Sequence, residues 1–192
     1  MSTPPTRPPG RPRSEKARQA VLRATLELAA EEGPRGLRMD SIARRAGVSK
    51  ETLYRWWHSK TEVVLEALSE RSLATIPLPD SGSLRGDLSA FLHATVASGD
   101  DTTRRLLRAL AAEAASDSAF AELVTRQFLA TRRASLGELL QRGVERGELT
   151  NRQAAIAIDL IYGSLWYRLI FQIAPLDNNW AQDITDALVP PA

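Results

Sequence analysis

The chain has 192 residues, 43% hydrophobic and 25% charged, the balance of one large globular domain or two small ones. It has no cysteine, which excludes disulfides, thiolate metal sites and cysteine nucleophiles. The net charge of +2 conceals an asymmetry: residues 1–60 hold 13 Lys and Arg against 6 Asp and Glu, whereas residues 61–192 hold 12 against 17. A basic front and an acidic rear suggest two jobs, the front either facing a polyanion or simply solvated. No apolar run reads as long enough to span a bilayer, and no apolar segment follows the N-terminal arginines. Neither a signal peptide nor a membrane partner is expected, and the cytoplasm is the simplest location.

Residues 1–13, with five prolines and three arginines, read as a disordered basic arm. A helical period begins at Ser14, with Val21, Leu22, Leu26 and Ala29 on one face, and Gly33-Pro34 ends it. Met39, Ile42, Ala43 and Ala46 mark a short amphipathic helix, which Gly47 breaks. Ser49 can cap the next helix, about Lys50 to Trp57, with Leu53 and Trp57 turned inward. Ser59 and Glu62 form a capping box before a fourth helix carrying Val63, Val64, Ala67 and Leu68 on its apolar side.

The loop-like "IPLPDSGS", residues 76–83, separates a front unit, 14–75, from a rear unit, 76–192. No proline follows it until Pro175, so the rear reads as helices near 83–98, 101–115, 118–146, 151–174 and 178–189. Thr150 with Gln153 forms another capping box, and Asp177 or Asn178 can cap the last helix. The expected fold class is all-α.

Two short helices around Gly47, with the small Ala43 four residues before it, make a helix-turn-helix. The second helix of this motif lies in the DNA major groove. Leu53 and Trp57 anchor it, while Lys50, Thr52, Tyr54, Arg55 and Trp56 project outward or sideways. Tyr and Trp donors on rigid stems suit phosphate oxygens, and Lys60 stands at a helix N-terminus that also favours phosphate.

The stretch "MDSIARRAGVSKETLYRWWHSKTEVVLEAL" resembles the DNA-binding domain of the TetR family of bacterial transcriptional repressors, over residues 14 to about 70. The resemblance implies a three-helix helix-turn-helix domain followed by a helical ligand-binding and dimerisation domain. It places Tyr54 and Lys60 at phosphates, and Ser49, Lys50, Glu51 and Thr52 at the opening of the recognition helix. Arg55, Trp56 and His58 fall at variable positions near backbone or groove, with Trp56 serving either a groove edge or packing. Glu51 can accept from a cytosine amino group. Arg38 stands where the family often has a threonine cap, so Asp40 or Ser41 is left to cap, and Arg38 can reach a phosphate. In the arm, Arg11 and Arg13 either enter a narrow minor groove or add only nonspecific charge.

The helix near 151–174 is apolar on nearly every side. Ile156, Leu160, Gly163 and Tyr167 form one stripe, and Ile158, Ile161, Leu165 and Leu169 another. A partner subunit would cover it, with Gly163 and Ser164 allowing close approach and Trp180, Ile184 and Leu188 of the last helix packing beside it. The alternative is the central helix of a monomeric bundle. Phe91, Leu107, Leu110, Phe120, Phe128, Tyr162, Trp166 and Phe171 are expected to line a ligand cavity or else to fill the core. Little charge is expected among them, which favours an apolar or planar ligand.

His58 and His93 are the only histidines and have no ligand partner at helical spacing; no nucleophile elbow, phosphate loop or HExxH occurs. No metal, cofactor or catalysis is expected. These features together read as a homodimeric repressor, released from a pseudo-palindromic double-stranded DNA operator by a small, largely apolar effector. Two alternatives remain at this level: a nonspecific DNA-binding dimer without an effector, and a ligand-binding helical protein with a vestigial DNA-binding motif.

Overall fold

The computed structural model describes residues 14–190, so the expectations for the basic arm, including Arg11 and Arg13, fall outside the described residues. The protein is all-α, with ten α-helices and no strand among the described residues. The front comprises α1 (Glu15–Gly36), α2 (Met39–Ala46), α3 (Lys50–Trp56) and α4 (Lys60–Thr75). The rear comprises α5 (Leu84–Ser98), α6 (Asp101–Ala114), α7 (Ser118–Val124), α8 (Ala130–Glu145), α9 (Asn151–Phe171) and α10 (Asn178–Leu188).

Regular α1 stops at Gly33, whose φ of 72° is open to glycine at little cost, and Pro34 opens one further turn. Its buried stripe is wider than the sequence period indicates. Ala24, Thr25 and Leu28 are buried with Val21, Leu22 and Ala29, because α1 packs on α2, α4 and α6 at once. The α2–α3 turn is closed by Gly47 at φ 68°, whose N–H donates to the carbonyls of Ala43 and Arg44. Ala43 is buried beneath the turn and Val48 is half-buried.

Ser49 caps α3 by accepting from the Thr52 N–H at 3.1 Å. Arg38 leaves α2 without a side-chain cap, and Asp40, a candidate substitute, instead accepts from Lys50 at 2.6 Å. At the start of α4, Ser59 accepts from the Glu62 N–H at 3.2 Å, as a capping box requires. The return bond is displaced by one residue: the Glu62 carboxylate accepts from the N–H of His58, at 2.9 Å.

The stretch 118–146, expected as a single helix, is α7 and α8 joined through a π turn, Thr125–Leu129, without leaving the helical path. The capping box at Thr150–Gln153 forms on both sides, and Asp177 caps α10 by accepting from the Trp180 N–H. Asp87 is fully buried: one carboxylate oxygen accepts from the Ser81 N–H at 2.6 Å, and the other, without a hydrogen bond among the described residues, lies 3.5 Å from Arg146.

Two apolar cores result. The front core gathers Leu22, Ile42, Leu53, Trp57 and Val64, and it recruits Leu106, Leu110, Phe120 and Val124 from α6 and α7. The rear core gathers Leu88, Phe91, Leu139, Ile161, Leu165 and Trp180. Ala157, Ile161, Leu165 and Leu169 are the buried stripe of α9. By length and hydropathy alone α9 could cross a bilayer, which corrects the reading that no run was long enough. Its buried stripe is used to close the rear bundle.

Candidate DNA interface and ligand cavity

The helix-turn-helix presents one charged face. Lys50, Glu51, Tyr54 and Arg55 are exposed on α3, at successive helical turns of one side, while Leu53 is fully buried on the other. Tyr54 is 49% exposed, which leaves its hydroxyl open to a phosphate on this face. Thr52 is half-buried, and its hydroxyl accepts from Ser49 at 2.9 Å. Arg38 and His58 are exposed on either flank.

Lys60 is half-buried and lies within 3.4 Å of the Leu37 carbonyl, so its ammonium is held at the N-terminus of α4. Trp56 divides its surface. It packs against the front core and meets Trp57 edge-on, with ring centroids 5.6 Å apart.

The anchor beneath this face is a network through Glu66. The Trp57 indole N–H donates to one carboxylate oxygen at 2.7 Å, and Arg18 donates to the other at 2.6 Å. Arg18 also reaches Glu70 at 2.5 Å. The three carboxylates around it, Glu15 foremost, raise the guanidinium pKa against the opposing effect of burial. The recognition helix is therefore fixed to α1 and α4 by both packing and charge.

In the rear, a cavity of about 310 Å³ opens between α4, α5, α6, α9 and the π turn with the start of α8. Leu107, Phe128, Tyr162 and Trp166 line it, four of the residues expected either to line a cavity or to fill the core. Phe91 and Leu110 do not. Phe91 is buried in the rear core beneath the Arg132 guanidinium, and Leu110, like Phe120, belongs to the front core. Phe171 is 66% exposed at the end of α9. Large apolar side chains fill cores and line cavities alike, and sequence period cannot separate the two.

Charge in the cavity corrects a further expectation. Arg71, Arg104, Arg132 and Arg133 line it, against one carboxylate, Asp159. Arg71 pairs with Asp100 at 2.7 Å and Arg133 pairs with Asp159 at 3.0 Å. Arg132 is buried, and burial pushes its pKa below the ordinary arginine value. The Tyr162 hydroxyl donates to the Arg132 carbonyl at 2.8 Å, and burial raises the phenol pKa. Arg132 escaped the sequence reading, yet a signal exists. It lies in phase with Leu136, Leu139, Leu140 and Gly143, the buried stripe of α8.

Of the residues expected at a dimer interface, Ile156, Leu160 and Tyr167 lie exposed along one side of α9. Ile170, Phe171 and Ile173 extend that apolar surface, which the sequence reading did not include. Gly163 is exposed on that same side and also borders the cavity, while the Ser164 hydroxyl accepts from the Trp180 indole N–H at 3.2 Å within the same chain. Ile184 and Leu188 are half-buried against the rear core, because α10 docks on α5.

This arrangement is that of a helix-turn-helix DNA-binding protein whose second, helical half carries a cavity. Residues 21–67 match the family model for bacterial regulatory proteins of the tetR family, and residues 78–188 match the tetracyclin repressor-like C-terminal domain. The chain is 34% identical to the HTH-type transcriptional regulator YdeS of Bacillus subtilis over 91% of its own length and 89% of that protein's. It is 30% identical to the HTH-type transcriptional regulator AqdR of Rhodococcus erythropolis, over 80% and 73% of the two lengths. The structure superposes on the TetR family transcription regulator SCO0332 with a TM-score of 0.81 at 30% identity, covering 93% of this chain and all of that one. It also shares its fold with a Bacillus subtilis FadR solved with stearoyl-CoA, with a TM-score of 0.70 at 17% identity, covering 91% and 99% of the two chains. The chain belongs to the TetR family, and it is a DNA-binding transcriptional regulator.

Proposed function

We propose that this regulator acts in the cytoplasm as a homodimeric repressor, released from a pseudo-palindromic operator when a small molecule occupies the rear cavity. The observation that carries the reading is the span of α4. Its first residue is Lys60, beside the recognition helix, and its last turns contribute Leu68, Arg71, Ser72 and Thr75 to the cavity wall. A single helix of 16 residues, about 24 Å long, thus touches both sites. A ligand that favours one placement of α4 shifts the spacing of two recognition helices, and a coupling of about 1–3 kcal/mol is sufficient for regulation.

Selection of randomised duplex DNA by the purified protein tests the reading. A two-fold symmetric motif is the expected outcome; retained DNA with no enriched motif would favour nonspecific binding instead. Two variants separate the roles along the interface. Lys60→Ala should weaken binding to all sequences alike and reduce the slope of log affinity against log salt by about 1. Lys50→Ala should cost about 1–3 kcal/mol on the preferred sequence and relax the preference at one base pair. Lys50 must exchange Asp40 for DNA to do this, since the two are ion-paired in the structure. If titrations show that both variants lose only thermal stability, the groove assignment is wrong.

A further inference from the structure

We infer that the rear cavity takes an organic carboxylate, an apolar acyl or aryl body with one planar anionic head, and that Arg132 holds that head. The inference rests on the cavity being the effector site. Three observations carry it. First, Arg132 is 6% exposed and lines the cavity, yet it has no carboxylate within ion-pair distance among the described residues. Its contacts include the Thr95 hydroxyl, at 3.4 Å, the face of the Phe91 ring, at 5.3 Å, and the Tyr162 phenol, none of them an anionic carboxylate. A buried arginine stays protonated, and such a charge ordinarily has an anionic partner.

Second, two further donors lining the same cavity are buried without a hydrogen-bond partner among the described residues: the Thr103 hydroxyl and Nε of Arg104. Arg104 spends Nη2 on the Leu176 carbonyl, at 2.7 Å, and on no carboxylate. Third, the one acidic residue of the wall, Asp159, is already matched by Arg133. The wall thus has excess positive charge to offer. The remaining lining is apolar, with Leu107, Phe128, Trp166 and Leu169 among it. One guanidinium fork matches one carboxylate, bidentately and in plane. At about 310 Å³ the cavity lies at the small end of small-molecule sites, which suits a compact acid.

The test is displacement of Nile red, an uncharged apolar dye, from the full-length protein. Octanoate and phenylbutyrate compete against their primary amides, which share shape but lack charge. In the wild type the acids should bind about tenfold or more tightly than the amides, the scale of a hydrogen bond to a charged group. Arg132→Met should erase that preference. It replaces a buried, unpaired charge with an apolar chain of similar reach, a change that proteins tolerate. Acids and amides binding equally would overturn the carboxylate, and a preference that survives in Arg132→Met would overturn Arg132 as its holder, each while leaving the effector cavity standing. Should the variant fail to fold, the acid–amide comparison on the wild type decides alone. If neither the dye nor any acid enters, the effector-site reading fails and takes this inference with it.

Discussion

Trp57→Ala is expected to lower the unfolding free energy by about 3–5 kcal/mol, the usual cost of emptying an aromatic core site. Trp57 is 2% exposed, forms the C-cap of α3 and meets Trp56 edge-on. The truncation also removes the indole donor to Glu66, which is held on its other oxygen by Arg18. Against a total stability of about 5–15 kcal/mol, the loss is a large fraction. Urea unfolding followed by circular dichroism measures it. A loss under about 1 kcal/mol would mean that the ring is not a packed anchor. The recognition helix has seven residues, too short to hold itself, so operator affinity should fall even at temperatures where the variant remains folded.

Leu160→Glu is expected to split the proposed dimer. Leu160 is 53% exposed, in the middle of the apolar surface formed by Ile156, Tyr167, Ile170 and Phe171. The Tyr167 and Phe171 rings meet at 5.5 Å, so that end of the surface is an ordered aromatic pair rather than scattered side chains. A contiguous apolar patch of this kind marks an interaction surface. A carboxylate placed there would be buried and unpaired in the dimer, yet it would be solvated in the monomer. Sedimentation should therefore show a monomer, with helical content unchanged, because the site is exposed within one chain. Losing the second half-site contact should reduce operator affinity by about 10²–10⁴, the range of bivalent gains. A variant that remains dimeric would move the interface off α9.

The front of the molecule was legible because two local rules coincide there. The period of Met39, Ile42 and Ala43 gives a helix, and Gly47 supplies the backbone angle that the turn needs. Such signals are short-range, and nothing distant competes with them. The rear was legible as helices but not as a site. Whether Phe91 or Phe128 faces a cavity depends on how α5, α8 and α9 lean together, and that is set by contacts far apart in sequence. Gly163 shows the same ambiguity: it is exposed on the side of α9 that carries Ile156, Leu160 and Tyr167, and it also borders the cavity. Arg132 drew no reading at all, although its place in the α8 stripe marks it as inward-facing.

The π turn at Thr125–Leu129 has a consequence for how this wall can vary. Phe128 and Leu129 reach the cavity from it, and its Gln127 carbonyl accepts from the Ser69 hydroxyl of α4 at 3.3 Å. A π turn holds about one residue more than an α turn, and it occurs as a local bulge in an otherwise regular helix. Elsewhere in a helix, one residue gained or lost swings everything beyond it by about 100°. Here the bulge absorbs the extra residue, so α7 can stay seated on the front core and α8 on the rear core. Chain length and helix register are uncoupled at this one place, which lies in the wall that would touch an effector.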